Sequence, residues 1–577
     1  MKDSGGLFPF RLVWVIPVFA LLTLGLGIWA WRDQPHAPPL PFDEAFYRSI
    51  GLFEIDGNAY SHGEAMQDWR FRVARWTGVG VVFSGILALA ALLHENLATA
   101  LARWTKQSVV VVGGDDLAVA AFETARRRRR SVLWLGASAF GSSGLGSIAL
   151  AWPATDRARA VCNYASRADH VLVADHDDAE ALAYARASRH AAPNAFITVL
   201  MRDMRIAEES AATLNDARTR VVSTAAVAAR ALNIDHPPFE IARQLAHSRI
   251  HALIVGFGQT GQAIARDLIV NCRTTYLGLP RITVIDPQAK ALEGVQRVRA
   301  PEIDACAECH FIEGEIGGRA VRPRPTEIGR DIAAAGPVTA VYVCLATDVD
   351  ALSTASMLQS LLRALDMALP PVFVRLRDAE TVSADGAGSG LDALTPFGDL
   401  QSVLAASDFL SDAPDAVART FCEAYRAALP PDQLADPKNR SGFPWDRLDE
   451  TYRQAIRDAV HHVAAKLSSA GVDPARWRGA HAIPKLCEDE RLFAGPGELE
   501  VLAELEHERW NAQRRMDGWR LGGRDQARKL HPSLVAYNDL SDAVKEYDRV
   551  YVRATQEACL NPASARRPDG NPPASST

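Results

Sequence analysis

The clearest chemistry in the sequence belongs to three glycines and an acid. Gly256, Gly258 and Gly261 stand in SRIHALIVGFGQTGQAIARDLIV, between a short apolar run (His251 to Val255) and a segment with helical spacing from Gln262. In a G-x-G-x-x-G of this context the first glycine permits a tight turn, the second lets a pyrophosphate approach the backbone, and the third packs helix on strand. The anion then meets the free N–H groups of the helix N-terminus. A second apolar run, Ile282 to Ile285, ends in Asp286, the acid expected to bond a ribose hydroxyl. Asp286 lies 25 residues after Gly261 rather than about 20, and CRTTYLGLPR explains the extra length as a long helix-to-strand loop. These residues predict a site for NAD or another adenine nucleotide formed by Gly256, Phe257, Gly258, Gln259, Thr260, Gly261 and Asp286. The alternative is a turn that keeps its glycines for packing alone.

Other chemistry-bearing residues are weaker. Cys306-Ala-Glu-Cys309-His310 matches the haem-attachment pattern C-x-x-C-H, but it leads straight into a candidate strand, His310 to Glu313, and reads as coincidence. His461 and His462 are adjacent, so on a helix they point to different sides and predict a solvated face rather than a metal site. None of the eleven tyrosines has a lysine four residues later, and no separate cluster of histidines and acids appears. The expectation is therefore no catalytic residues and no metal.

The elements that must position the glycine turn alternate. Strands are predicted at Ser108 to Val112, Val132 to Leu135, His170 to Ala174, Ala195 to Leu200 and Arg220 to Val222, and again at Ala340 to Ala346 and Pro371 to Leu376, with helical segments between them. Alternation of this kind means doubly wound parallel sheets. The first unit turns at Gly113-Gly114-Asp115-Asp116, where two carboxylates would repel a pyrophosphate, and its second strand ends in Gly136 instead of an acid. Only the second unit is expected to bind a nucleotide.

Length and composition set the frame. At 577 residues, 48% hydrophobic and 23% charged, the chain is globular and of several domains. A net charge of −6 excludes a global basic field for nucleic acid, and eight scattered cysteines fit a reducing compartment. Leu12 to Trp31 carries no charge over twenty residues, and Thr77 to Leu93 is shorter but similarly apolar. Both are expected to cross a membrane, with Lys2, Arg11, Arg103, Lys106 and the run Arg126 to Arg130 placing both termini in the cytoplasm. The expected location is the inner (cell) membrane, multi-pass, in contact with lipid. The arginine run itself reads as the solvated end of a helix, Leu117 to Arg130. Ser49-Ile-Gly51-Leu-Phe53 echoes a potassium filter in three places only, and Phe42 to Phe53 reads equally as an amphipathic helix.

The motif VGFGQTG (Val255 to Gly261), the strand ending VIDP (Val284 to Pro287) and the acidic helix starts Asp175-His-Asp-Asp178 and Thr347-Asp-Val-Asp350 resemble the nucleotide-binding domains of the regulator-of-potassium-conductance, or potassium-uptake, family. The resemblance covers roughly 107–236 and 248–415 and is more specific in the second. It implies tandem gating units whose ligand moves pore helices, and pairing into a homo-oligomer. Farther on, His507, Trp510, Gly518, Trp519, Gly522, His531-Pro532-x-Leu534, Tyr537, Asp539-Leu540 and Tyr547 resemble the ryanodine receptor domain, a small helical module, which by analogy implies ligand sensing or protein contact. Its physical reading is an aromatic cage of Trp510, Trp519 and Tyr537, near His507, with Arg514, Lys529 and His531 supplying charge for a phosphorylated ligand. The alternative makes the aromatics core and His531 a turn cap.

The expected organisation is 1–36 N-terminus and first span, 37–72 external loop, 73–106 second span and linker helix, 107–236 degenerate Rossmann-like unit, 248–415 nucleotide-binding Rossmann-like unit, 416–560 helical domain and 561–577 disordered tail. Three functions compete. A membrane-anchored, nucleotide-responsive regulator, gating potassium or another monovalent cation, fits the spans and the fingerprint. A nucleotide-signal-sensing membrane effector of bacterial defence, with the C-terminal module as sensor, is the alternative. An NAD-dependent oxidoreductase lacks a proton donor.

Overall fold

The computed structural model describes residues 8–33, 38–53, 68–104, 106–128, 130–137, 141–142, 147–153, 156–316, 325–378, 394–407, 409–411, 415–437, 439–474 and 491–560. The expected disordered tail, 561–577, and most of the expected external loop lie outside these residues. The chain forms two compact units, Met1–Thr105 and Lys106–Thr577.

The first unit holds α1 (Phe8–Arg32), α2 (Phe42–Ile50), a short 3-10 turn (Gly51–Phe53) and α3 (Trp69–Trp104). Small residues let these elements approach closely. A Cβ on Gly78 would stand 2.5 Å from the Leu52 carbonyl oxygen. The Thr23 and Thr77 hydroxyls meet at 2.8 Å. Ser49 ends α2 with its hydroxyl donating to the Ala45 carbonyl at 2.6 Å. Ser49 to Phe53 is therefore helical, and its carbonyls do not form the extended row that an ion filter needs. The expectation of two spans is not borne out: α1 and α3 form where Leu12 to Trp31 and Thr77 to Leu93 were read, but among the described residues no helix is long and apolar enough to cross a membrane. Arg70, Arg72 and Arg75 stand in the first two turns of α3, ahead of Thr77.

The second unit begins with β1 (Gln107–Val112), α4 (Asp116–Arg127), β2 (Val132–Ala137), β3 (Gly141–Ser142), β4 (Ser147–Ala151), α5 (Arg157–Ala165), β5 (Ala168–Ala174), α6 (Asp178–Ala191), β6 (Phe196–Met201), α7 (Met204–Leu214) and β7 (Thr219–Ser223). The sheet order is β3-β4-β2-β1-β5-β6-β7, parallel throughout except for β3. Helices α8 (Thr224–Asp235) and α9 (Pro238–Gln244) lead to the second sheet. It is built from β8 (His251–Val255), α10 (Gln259–Asn271), β9 (Arg281–Asp286), α11 (Ala289–Arg299), β10 (Glu308–Glu313), α12 (Pro325–Ala334), β11 (Ala340–Val343), α13 (Asp348–Ala364), β12 (Val372–Arg375) and β13 (Leu394–Phe397). All six strands are parallel, in the order β10-β9-β8-β11-β12-β13. This is the doubly wound order in which chain direction reverses between the first and fourth strands, β8 and β11, and ligands settle at the carboxyl ends there. Every residue of β8 is buried, as a central parallel strand covered on both faces requires.

The rest is helical: α14 (Leu400–Ser407), α15 (Ala416–Ala428), α16 (Pro431–Ala435), α17 (Glu450–His461), α18 (Val463–Ser469), α19 (Pro496–Met516) and α20 (Asp542–Leu560), with a two-residue parallel pair, β14 (Arg520–Leu521) and β15 (Leu530–His531). The single helix expected over Trp445 to Leu467 is divided. Trp445–Arg447 is a 3-10 turn, and the axis breaks at His462 between α17 and α18. One continuous apolar cluster runs from Val109 and Phe122 through Ile264 and Leu268 of α10 to Phe421, Leu505 and Met516. The C-terminal helices therefore share their core with the sheets.

The solvated face expected for His461 and His462 is corrected by the same break. His462 is fully buried, its Nε2 lies 3.0 Å from the Arg273 carbonyl oxygen, and its Nδ1 is 3.6 Å from the Glu506 carboxylate. Glu506 also takes Lys466 at 2.7 Å and Arg509 at 2.8 Å, all within the core. Burial lowers the pKa of His462 to about 4 against the opposing pull of Glu506, and burial likewise lowers that of His251 to about 4. Both rings are neutral in the folded protein at pH 7, whereas in the unfolded chain each gains a proton near pH 6.5. Unfolded chains thus bind more protons across this interval, and stability must fall as pH drops from about 6.5 to about 4. We expect the melting temperature to decline over that window, and the slope to lessen in His251→Gln and His462→Gln proteins; a melting temperature independent of pH there would show that these histidines are not buried.

Candidate functional site

At the carboxyl end of β8 the backbone does what the glycine spacing demands. Gly256 has φ +88°, and a Cβ on it would lie 2.8 Å from the Cys344 carbonyl oxygen at the end of the neighbouring β11. A Cβ on Gly261 would lie 2.3 Å from the Gly256 carbonyl oxygen, so this glycine lets α10 rest on its own turn. Gly258, the cap of α10, has no heavy atom within 4 Å of a Cβ position and no side-chain cap. The first helical bond runs from the Gln262 N–H to the Gly258 carbonyl, so the N–H groups of Gln259, Thr260 and Gly261 precede it. Asp286 ends β9 beside them. Its carboxylate accepts the Phe257 N–H at 2.8 Å and the Gln288 N–H at 2.8 Å, which fixes its orientation and leaves lone pairs on both oxygens. Phe257 itself is buried against Phe311, ring centroids 5.5 Å apart. An open helix N-terminus, a glycine approach and an oriented acid can together receive a phosphate and a ribose.

Gln259 does something its position in the motif did not announce. Its amide donates to Asp203 at 2.9 Å and accepts the Met204 N–H at 3.0 Å, so it binds the start of α7 in the first sheet's half.

The corresponding turn in the first half is filled from within. Gly113 at φ +128° leaves a Cβ position 1.7 Å from the Ala174 carbonyl oxygen, so the close approach is retained. Asp115, however, is buried at the start of α4 and pairs with the Arg202 guanidinium at 2.6 Å. Arg202 also contacts His176 at 3.1 Å, and the Gly114 N–H reaches Asp175 at 3.3 Å. Carboxylates of the chain itself stand at this turn, where they would repel a phosphate.

The C-terminal candidates are brought together, but around one of their own number. Arg514 is buried and lies over Trp510 at 5.6 Å, Trp519 at 5.2 Å and Tyr452 at 5.8 Å. The aromatic cage expected for a ligand is thus occupied by this guanidinium, whose own pKa is lowered by burial. His507 is buried between Asp548 (3.1 Å) and the Val535 carbonyl (3.1 Å), and its ring stacks on Trp510. Tyr537 is buried and donates to Glu500 at 2.8 Å. The His531 Nδ1 accepts the Ser533 N–H at 3.1 Å, closing a turn, and burial with the nearby Arg524 charge lowers its pKa to about 4. Lys529 donates to the Asp517 carbonyl at 2.8 Å. Of the seven, Trp519 and Lys529 also line a large cavity. Burial separates core from site here, and the motif spacing carries no burial signal.

Cys306 is buried and Cys309 half-buried in β10, and burial pushes the Cys309 thiol up to about 12, the reverse of what a metal or redox cysteine needs. Among the described residues no group of three or more His, Cys, Asp or Glu side chains is placed to hold a metal.

Comparison with known proteins agrees with the C-terminal reading. Residues 498–561 match the RyR domain family. No curated protein matches the chain. Among solved structures, GsuK bound to ADP aligns at TM-score 0.33 with 14% identity, covering 70% of this chain and 97% of that one. The GsuK channel bound to NAD aligns at TM-score 0.35 with 12% identity, covering 74% and 86%. The GsuK RCK domain aligns at TM-score 0.31 with 12% identity, covering 53% and 76%. These scores are too low to fix even a common fold, which rests instead on the two sheet orders.

The three glycines differ in what they tolerate. Gly261→Ala forces a Cβ onto a backbone oxygen and is expected to destabilise the second half by about 1–3 kcal/mol, whereas Gly258→Ala, with ordinary φ and open space, should leave the melting temperature unchanged. Equal thermal shifts for the two variants would contradict this geometry.

Proposed function

We propose that this chain is a nucleotide-responsive regulator, with an adenine nucleotide such as ADP or NAD at Gly256–Gly261 and its ribose on Asp286. The observation that carries this reading is the open space at Gly258 ahead of the three free N–H groups of α10, beside an acid already held in orientation. The first sheet supports it by contrast, since Asp115 and Arg202 fill the equivalent place. We read the chain as a regulator because Gln259 of the glycine turn is held by Asp203 and Met204 at the start of α7, so the turn bears on the first sheet's half.

The finer reading places the protein in the inner membrane as a homo-oligomer, with Lys106–Thr577 in the cytoplasm and ligand occupancy biasing the flux of potassium or another monovalent cation. The charge-free run Leu12 to Trp31 and the basic residues flanking it support the location. The RyR-type module favours a second reading, a membrane effector that responds to a nucleotide signal, because its helices share a core with the nucleotide half.

Calorimetry of the whole protein in mild detergent tests the site. We expect ADP or NAD to bind with one equivalent per chain at the turn, Gly258→Asp to weaken this at least a hundredfold, and Asp286→Ala to weaken it about tenfold, as loss of a hydrogen bond to a charged group does. Gly114→Asp should change nothing. Binding abolished by Gly114→Asp and retained by Gly258→Asp would reverse the assignment. Potassium flux into liposomes bearing the protein, compared with and without ADP or NAD, separates a gate from a sensor; no nucleotide-dependent flux would remove the gating reading.

A further inference from the structure

A cavity of about 1090 Å³ lies where the two sheet halves meet the RyR-type module. Its walls come from α7 and α8 of the first half, α10 and α11 of the second, α17, and the segment Asp517 to Lys529. It is separate from the glycine turn, whose residues do not line it, but α10 reaches both: the turn opens this helix, and Ala263, Arg266 and Val270 farther along face the cavity. Small-molecule sites run from roughly 300 to 1,000 Å³, so this one has room for a ligand larger than a mononucleotide.

Its chemistry is uneven in an informative way. On one wall, α11 presents Val298 at 83% exposure and Val295 at 46%, and Gly294, which precedes Val295, has nothing within 4 Å of a Cβ position. An apolar strip of this kind, uncovered inside a concavity, fits the flat face of a base. Charge is unbalanced, with eight cationic lining side chains against six anionic. Most of the acids are already engaged: Asp517 by Arg266 at 2.7 Å, Asp458 by Arg230 at 3.8 Å, Glu208 by Arg299, Glu450 by Arg457 at 2.6 Å, and Asp267 by Asn233 and Asn271 at 2.7 Å. Arg205 on α7 and Lys290 on α11 are exposed and form no ion pair with the described residues, and Lys529 meets only the Asp517 carbonyl. Three cations from three parts of the fold thus converge on one cavity with spare charge.

We propose that this cavity is a second ligand site, for a phosphorylated ligand of dinucleotide size, whose phosphates meet Arg205, Lys290 and Lys529 and whose base lies on Val295 and Val298. Because both the glycine turn and the cavity are built on α10, the two occupants are coupled through one helix.

The test uses diadenosine tetraphosphate as the probe and calorimetry of the full chain in detergent, on a Gly258→Asp background in which the turn is closed to phosphate. We expect one saturable equivalent per chain on this background, weakened at least tenfold by Arg205→Glu with Lys290→Glu and by Val298→Trp, which fills the apolar wall. All three positions are exposed, so melting temperatures should be unchanged. Absence of saturable binding to Gly258→Asp, or binding indifferent to both the charge reversals and Val298→Trp, overturns the proposal. These outcomes are distinct from failure of the turn as a nucleotide site, which shows as binding of ADP, a mononucleotide, that survives Gly258→Asp.

Discussion

The arrangement of the large unit depends on a single buried carboxylate, Glu506. A carboxylate with no solvent is tolerated only when cations reach it with good geometry, since the desolvation penalty is otherwise several kcal/mol. Here burial pushes its pKa up, yet Arg509 and Lys466 hold it well below the usual carboxylate range. The partners come from α18 and α19, and His462, at the break between α17 and α18, ties the group onward to the Arg273 carbonyl just beyond α10. His462, at the break, and Lys466, one turn on, face the same carboxylate. Through them the RyR-type helices are joined to the second sheet, and the apolar cluster from Ile264 to Leu505 closes around the joint.

This attachment gives α10 its importance. It carries an open N-terminus at Gly258, packs on the sheet through Gly261, and presents Arg266 to Asp517 at the far side. Gly518, at φ +85°, lies so close to the Arg299 carbonyl that a Cβ would stand 2.8 Å from it, and Arg515 pairs with Glu302 at 3.1 Å. The module therefore touches both helices that flank the nucleotide half. A ligand shifts a conformational equilibrium only by the difference in its affinity for the two states. In this fold such a difference arises wherever a ligand changes the seating of α10 or α11, since neither can move without disturbing the packed joint.

Much of this was legible in the sequence, for physical reasons. Central parallel strands are continuous apolar runs, so β8 was found to the residue, and β1, β5, β6 and β9 to within two at either end. Glycines at fixed offsets after such a run announce a turn whatever surrounds it. The strands of the two large sheets that a reading of the sequence omits, β3, β4 and β13, lie at or next to the sheet edges, where the runs are short. Burial of polar residues was the larger failure. Nothing in HHVAAK distinguishes a histidine facing water from one sealed against Glu506, because the decision lies with residues some forty positions away. The same is true of Arg514, which the sequence offers as a cation for a ligand and the fold spends on three aromatic rings of its own. The cavity was invisible because its walls come from segments spread over more than three hundred residues, each unremarkable alone.

The Asp115–Arg202 pair has one more consequence. A mononucleotide fold ordinarily has two conditions, empty and loaded, and what it does follows from the difference. At the head of α4 the anion is instead part of the chain itself, paired with Arg202 and present at an effective concentration no solute can match. Two copies of one architecture are thus unlike at the same turn, one closed by the chain's own charge and the other open at Gly258, with Gln259 on Asp203 as the point where one bears upon the other.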